Sequence, residues 1–366
     1  MEILPKTLGT RPRLAVEVRA EGVVAARAED ATALLTAVAR GDLPEGAVTP
    51  GLKVGNIADK AAVVAAVRRA LDAVAGTGRE RLRDVTVVVP DSAVRVLFVD
   101  FDQLPSKAAE ALPVVRFRLK KLLPFDADDA MVSYQVMSNE KNAVKLLAVA
   151  MPKAVLEEYE AVVLAAGYTP GAVLPSTLAA LAGLDEVAAP VLVVNAGTAA
   201  VTTAIVRGEA LLLHRSFDMS AGAITPAEIT TIVPLVDRES SAQEWAQQEA
   251  LGPGGWDRFD AEAAIQTSVV ETAVIRERGI RAEMREVAQA VSVAAAYFED
   301  SLQSSPDQLL VAGTLGAEML AAVMEESGVE GLRVREMVDA GMMEVGAVTA
   351  SVPRGWLAGV RGALRN

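Results

Sequence analysis

Cysteine is absent from this 366-residue chain. Disulfides, thiolate nucleophiles and cysteine-ligated zinc are thereby excluded, and the composition is compatible with the cytoplasm. Histidine is nearly absent as well: His214 stands alone, so no two-histidine metal site can form. Aromatic residues make up only 4% of a chain that is 52% hydrophobic. Most of that apolar content is Ala and Val, the mark of an α/β protein with small-residue helix packing and not of a disordered chain. Positive charge is in deficit, with 35 Lys and Arg against 48 Asp and Glu, net −13. That balance argues against a nucleic-acid backbone or an anionic lipid surface as partner. No apolar run reaches about 18 residues, so no membrane span is expected. "MEILPKTLGT" lacks the apolar core of a signal peptide. Neither a Gly-x-Ser-x-Gly elbow nor a P-loop is found.

What is present reads as two α/β halves. "RLAVEV" (Arg13–Val18) and "GVVAARA" (from Gly22) pair as a hairpin in this reading. "ADKAAVVAAVRRALDAV" (Ala58–Val74) puts Val63, Val64, Val67, Leu71 and Val74 on one helical face, with Asp59 as N-cap. "DVTVVVP" (Asp84–Pro90) reads as a buried strand. Strands "VRVLFVDF", "MVSYQVM" and "KLLAVAM" then interleave with a helix ending in "RFRLKKLL" and a second helix, Pro152–Gly167. In the first of these helices Leu112, Val115, Leu119 and Leu122 are spaced to face a core. Pro113 is tolerated only in a first turn, so that helix is expected to start near Leu112 or to kink. Its basic face, Arg116–Lys121, reads equally as a docking surface for an acidic partner or a membrane-proximal platform, or as an ordinary solvated face.

A further helix is expected from Ser176. "VLVVNAGTAAVTTAIVRGEALLLHRSF" (Val191–Phe217) reads as three strands joined by Gly-containing turns. Gly222 to about Ile280 carries a turn-rich stretch, Leu251–Asp260, expected as a loop. Arg285–Leu302 has a helical stripe of Val287, Val291, Ala294, Phe298 and Leu302, and Asp307–Gly328 reads as strand, Gly turn, helix. The clusters "DADD" (Asp126–Asp129) and "EEYE" (Glu157–Glu160) read as a solvated linker and helix face rather than as cation sites.

This order of pieces resembles the PilM-like type IV pilus assembly proteins, the FtsA/PilM branch of the actin-like ATPase superfamily. The most specific stretch is "LKKLLPFDADDAMVSYQVM" (Leu119–Met137), where Pro124, Phe125, Tyr134 and Gln135 match the family's inserted subdomain, 1C. The resemblance implies an actin-like, ribonuclease H-like α/β fold of two domains with a small α+β insertion in the first half. The expected divisions are 1–93 (1A), 94–170 (1C-like), 171–189 (return to 1A) and 190–366 (2A/2B).

Three stretches align with the family's nucleotide motifs. At the first phosphate hairpin, Leu14–Ala26, Glu17 stands for the expected Asp and Arg19 for the expected Gly, and the following Lys is missing. At the second, Asn195 stands for Asp while Gly197 and Thr198 remain. At the adenosine motif, Leu309–Leu320, Ala312 replaces the first Gly, with its methyl expected toward a stacked adenine, while Gly313 and Gly316 remain. Phosphate hairpins need glycine for close backbone approach and positive φ, and Mg²⁺ needs hard carboxylate ligands. Glu17, Arg19, Asn195, Gly197, Thr198, Gly313 and Gly316 therefore form an expected but degenerate ATP site, with no catalytic residue, no resident metal and no firm cofactor.

The resemblance further implies a cytoplasmic protein, peripheral to the inner membrane through partners. It would bind the N-terminal cytoplasmic tail of a PilN-like membrane protein and other pilus platform components, with Phe117, Leu123, Phe125 and Tyr134 lining the groove. The alternatives are an active actin-like ATPase of pilus assembly, or the cytoplasmic domain of a type II secretion L-type protein.

Overall fold

A computed structural model describes residues 11–76, 81–140, 143–185, 189–208, 210–219, 284–304, 306, 308–326, 332–344 and 352–365. The loop expected at Leu251–Asp260 lies outside the described residues. The chain opens with β1 (Leu14–Val18), β2 (Gly22–Ala28), β3 (Leu35–Asp42), α1 (Lys60–Val74) and β4 (Asp84–Val89). It continues with β5 (Arg95–Phe101), α2 (Ala108–Leu119), β6 (Ala130–Glu140) and β7 (Ala143–Pro152). It then passes through α3 (Lys153–Ala165), β8 (Thr169–Pro175) and α4 (Ser176–Ala182). The second half has β9 (Val191–Ala196), β10 (Ala200–Arg207), β11 (Ala210–Asp218) and a helix α5 over 284–302. It ends with β12 (Gln308–Gly313), α6 (Ala317–Glu326), β13 (Arg333–Glu336) and α7 (Leu357–Leu364).

Two five-stranded sheets share one plan. The first runs β3-β2-β1-β4-β8 and the second β11-β10-β9-β12-β13. In each, the first three strands of the half form an antiparallel meander, and the other two add in parallel. Central strands buried on both faces read as near-continuous apolar runs, which "LAVEV", "DVTVVV" and "VLVVNA" are apart from Glu17, Asp84, Thr86 and Asn195. Alternate residues serve alternate cores because side chains switch face at every position. Ala15 and Val193 face a core shared by both sheets, α4 and α7. Leu14 and Val16 face α1 and α3 on the far side of the first sheet. Leu192 and Val194 face α5 and α6 on the far side of the second.

α1 forms as its spacing predicts. Asp59 caps it, its Oδ1 accepting from the Ala62 N–H at 2.9 Å, and Val63, Ala66, Val67, Ala70, Leu71 and Val74 are buried. Val64 is only half-buried, at the rim of that stripe. Between β4 and α3 lies the three-stranded sheet β5-β7-β6, one face of which packs Val115 and Leu119 of α2 against Val99, Val132 and Leu146. Helix α2 departs from expectation twice. It starts at Ala108, not near Leu112, and holds the exposed Pro113 in its interior. It also ends at Leu119, so Leu122 falls outside the helical period and is exposed.

Candidate functional site

The β1–β2 and β9–β10 hairpins close through three-residue turns of the same construction. Arg19 N–H donates to Gly22 O at 2.9 Å, and Gly197 N–H donates to Ala200 O at 3.0 Å. Arg19 and Gly197 are thus equivalent, as are Glu17 and Asn195 two residues before them. The two turns face each other across the centre of the molecule, and the duplicated plan brings the equivalent polar side chains to one place.

That place is a buried polar network. Glu17 is fully buried and pairs with the Arg19 guanidinium at 2.7 Å. Ser176, the first residue of α4, donates its hydroxyl to Glu17 Oε1 at 2.6 Å and accepts from Arg19 Nη2 at 3.1 Å. Asn195 Nδ2 reaches Ser176 Oγ at 2.9 Å and Thr177 Oγ1 at 3.0 Å. Burial pushes the Glu17 carboxyl above the ordinary range, although Arg19 and Ser176 pull it down.

Asp91 ties both halves together, and sequence reasoning missed it. It sits in a buried 3₁₀ turn just after Pro90 and β4. Its carboxylate accepts from Thr177 N–H at 3.1 Å, Thr177 Oγ1 at 2.5 Å, Thr202 Oγ1 at 3.0 Å and Asn195 Nδ2 at 3.4 Å. The available signal was an Asp directly after a proline that ends a strand buried from Val85 to Val89. His214 on β11 is also buried. Loss of solvation lowers its pKa, against an opposing pull from Asp91, so the imidazole is neutral near pH 7.

The turn residues fill what lies between the hairpins. Glu21 Oε1 accepts from the Thr198 backbone N–H and from Thr314 Oγ1 at 3.4 Å. Gly197 does not take up positive φ. A Cβ there would stand 3.0 Å from Glu21 Oε1, so the Glu21 carboxylate would have to give way. The cavity lined by Glu17, Arg19, Glu21, Asp91, Ser176, Asn195 and Gly197 measures about 30 Å³. That admits one or two waters, whereas pockets for ligands of nucleotide size run to about 300 Å³ and more.

At the third motif Gly313 has φ +95°, and a Cβ there would collide with the Ala196 carbonyl, so this glycine is dictated by the close crossing of β12 and β9. The Ala312 methyl faces the shared core, which corrects the expectation that it would point at a stacked ligand. Gly316 lies just ahead of α6, whose first N–H, from Ala317, is taken at 2.9 Å by Glu336 Oε1. The structure therefore brings Glu17, Arg19, Asn195, Gly197 and Thr198 together, and sets Gly313 and Gly316 beside them at the β12–α6 turn.

The other expected residues lie on the three-stranded sheet and its helix. Phe117 is 68% exposed on the outer face of α2. Leu123, Phe125 and Tyr134 are half-buried against the core of that sheet. The acidic clusters have internal tasks. Asp128 pairs with Lys120, and Glu158 accepts from the N–H groups of Gly55 and Asn56 at 2.6 and 2.7 Å, pinning that loop. Among the described residues no group of three His, Asp or Glu is placed to hold a metal ion, and no helix is long and apolar enough to cross a membrane.

No protein-family model matches the chain, and no curated protein matches it in sequence. Among solved structures it is similar to a chain of the PilM–PilN type IV pilus biogenesis complex, with 18% identity and a TM-score of 0.67 over 97% of this chain and 99% of that one. The cytoplasmic domain of EpsL, an inner-membrane component of the Vibrio cholerae type II secretion system, aligns at 13% identity and TM-score 0.36 over 56% of this chain and 70% of that one. The ethanolamine utilization protein EutJ from Carboxydothermus hydrogenoformans aligns at 11% identity and TM-score 0.42 over 99% and 91%. The chain shares the fold of that chain of the PilM–PilN complex, here two sheets of one strand order with a three-stranded sheet set into the first half.

Proposed function

We propose that this protein is a cytoplasmic scaffold of type IV pilus assembly that binds the N-terminal tail of a PilN-like inner-membrane protein and works without turning over nucleotide. The observation that carries the first part is the full-length likeness to a chain of the PilM–PilN complex. The second part is supported by the cleft between the hairpins. An ATP–Mg²⁺ group needs free backbone N–H donors for its phosphates and a free carboxylate for the cation. Here Arg19 is committed to Glu17, and the Thr198 N–H to Glu21. The residues present do not fit that group.

For the partner, exposed Phe117 supplies an apolar contact on α2, with Arg118 and Lys121 beside it on the same exposed surface. β6 is an edge strand of the three-stranded sheet, and an extended peptide can pair with such an edge. In this reading Leu123, Phe125 and Tyr134 shape the floor.

Two measurements test the proposal. Titrating Mg-ATP by calorimetry is expected to give no heat of binding; a dissociation constant near micromolar overturns the nucleotide part. A synthetic PilN-like tail peptide is expected to bind the protein and to bind the Phe117→Ala variant about tenfold more weakly, as suits loss of one aromatic contact. Binding unchanged by Phe117→Ala removes this residue from the interface, and absence of binding overturns the partner assignment.

A further inference from the structure

The tip of the first hairpin carries a carboxylate, Glu21, whose partners all lie in the other half of the molecule. Its Oε1 takes the backbone N–H of Thr198, 177 residues away, and shares the hydroxyl of Thr314, 293 residues away, with the Ala196 carbonyl, at 3.4 and 3.3 Å respectively. The same oxygen would lie 3.0 Å from a Cβ at Gly197, so a side chain there would push the Glu21 carboxylate aside. Arg19, from the same three-residue turn, also points across, with Nη1 3.9 Å from where a Gly197 Cβ would be. A turn N–H together with a nearby hydroxyl is an anion-accepting arrangement. Hydrogen bonds that span so much sequence are specific to the folded molecule and tie its hairpins to each other.

We infer that Glu21 is a built-in anion latch: its carboxylate occupies the oxyanion-accepting turn at Thr198 and Thr314 and holds the two hairpins together without any external ligand. The latch rests on the reading of the cleft as one that needs no nucleotide. It gives a binding partner one fixed arrangement of the two halves. The receptor takes a carboxylate or a phosphate oxygen equally, so removing Glu21 creates an open site for a small free oxyanion.

The test uses the full chain and its Glu21→Ala and Glu21→Gln variants. Glu21 is only half-buried, so neither change threatens folding. Hydrogen exchange at the Thr198 amide is expected to be about tenfold faster in Glu21→Ala, the effect of losing one net hydrogen bond. The melting temperature should fall by about 1–2 °C. Sodium phosphate or sodium acetate, compared with chloride at matched ionic strength, should restore the Thr198 exchange rate in Glu21→Ala and leave it unchanged in the wild type, and should raise the melting temperature of Glu21→Ala by more than the general salt effect seen in the wild type. Glu21→Gln, which keeps an acceptor but no charge, should lie between. Thr198 exchange that is unchanged in Glu21→Ala overturns the latch. Faster exchange that neither anion restores overturns the anion receptor and leaves an ordinary contact. Neither readout involves nucleotide, so the latch can fail while the calorimetric test of the cleft succeeds, and the reverse.

Discussion

At the scale of single residues, charge is what the centre of this molecule has to manage. Glu17 and Arg19 are both taken out of water, at 0% and 7% side-chain exposure. A buried pair contributes little net stability, but removing one partner strands the other. Arg19→Ala should therefore cost about 3–5 kcal/mol in chemical denaturation, and Glu17→Leu with Arg19→Met together should cost much less. His214 gives a pH signature. Burial lowers its pKa below the unfolded value near about 6.5. The stability it contributes is complete above about pH 6.5 and is lost as pH falls from there toward its folded value. Glu17, shifted upward by burial, acts in the opposite sense: its contribution is complete below about pH 4.3 and lost as pH rises through its folded value. Denaturation midpoints measured from pH 8 to 5 should show an acid decline that His214→Gln flattens. Of these residues the sequence named Glu17, Arg19 and Asn195 by their place in hairpins. It could not name Asp91, whose four hydrogen-bonding groups come from α4, β9 and β10.

At the scale of elements, legibility followed burial. β1, β4 and β9 were readable because a strand buried on both faces is mostly apolar, with Glu17, Thr86 and Asn195 as the buried exceptions. The strands left unread were β3, β8 and β13, all sheet edges. There polar residues are tolerated, and β8 begins Thr169-Pro170-Gly171 because an edge strand accommodates proline. α2 was expected to start near Leu112 or to kink at Pro113; it starts at Ala108, because a helix packed through Ala111, Val115 and Leu119 tolerates one missing hydrogen bond on its exposed side. α7 packs against α4 and β1 through small residues. A Cβ on Gly359 would collide with the Glu17 carboxylate, and one on Gly362 with the Ala179 carbonyl. Gly359→Ala should destabilise the protein by about 1–3 kcal/mol. Gly51→Ala, where nothing lies within 4 Å of the added carbon, should be close to neutral. Equal denaturation midpoints for the two variants would show that the α7 contact carries no such constraint.

At the scale of the whole molecule, the two sheets are not separable by their cores. Residues of β1 and β2, β9 and β10, α4 and α7 belong to one cluster. Amide protons of β1 and β9 should accordingly lose hydrogen-exchange protection at the same urea concentration; loss at two distinct concentrations would mean that the halves unfold independently. The sequence by itself determined the α/β class, the central strands, the amphipathic helices and the two equivalent hairpins, because periodicity and burial are local requirements written residue by residue. It also excluded thiol chemistry and histidine metal sites. Only the tertiary structure decided that Arg19 is spent on Glu17, that Asp91 joins the halves and that Glu21 crosses to Thr198. Those depend on distances between residues far apart in the chain, which folding alone brings within hydrogen-bonding range.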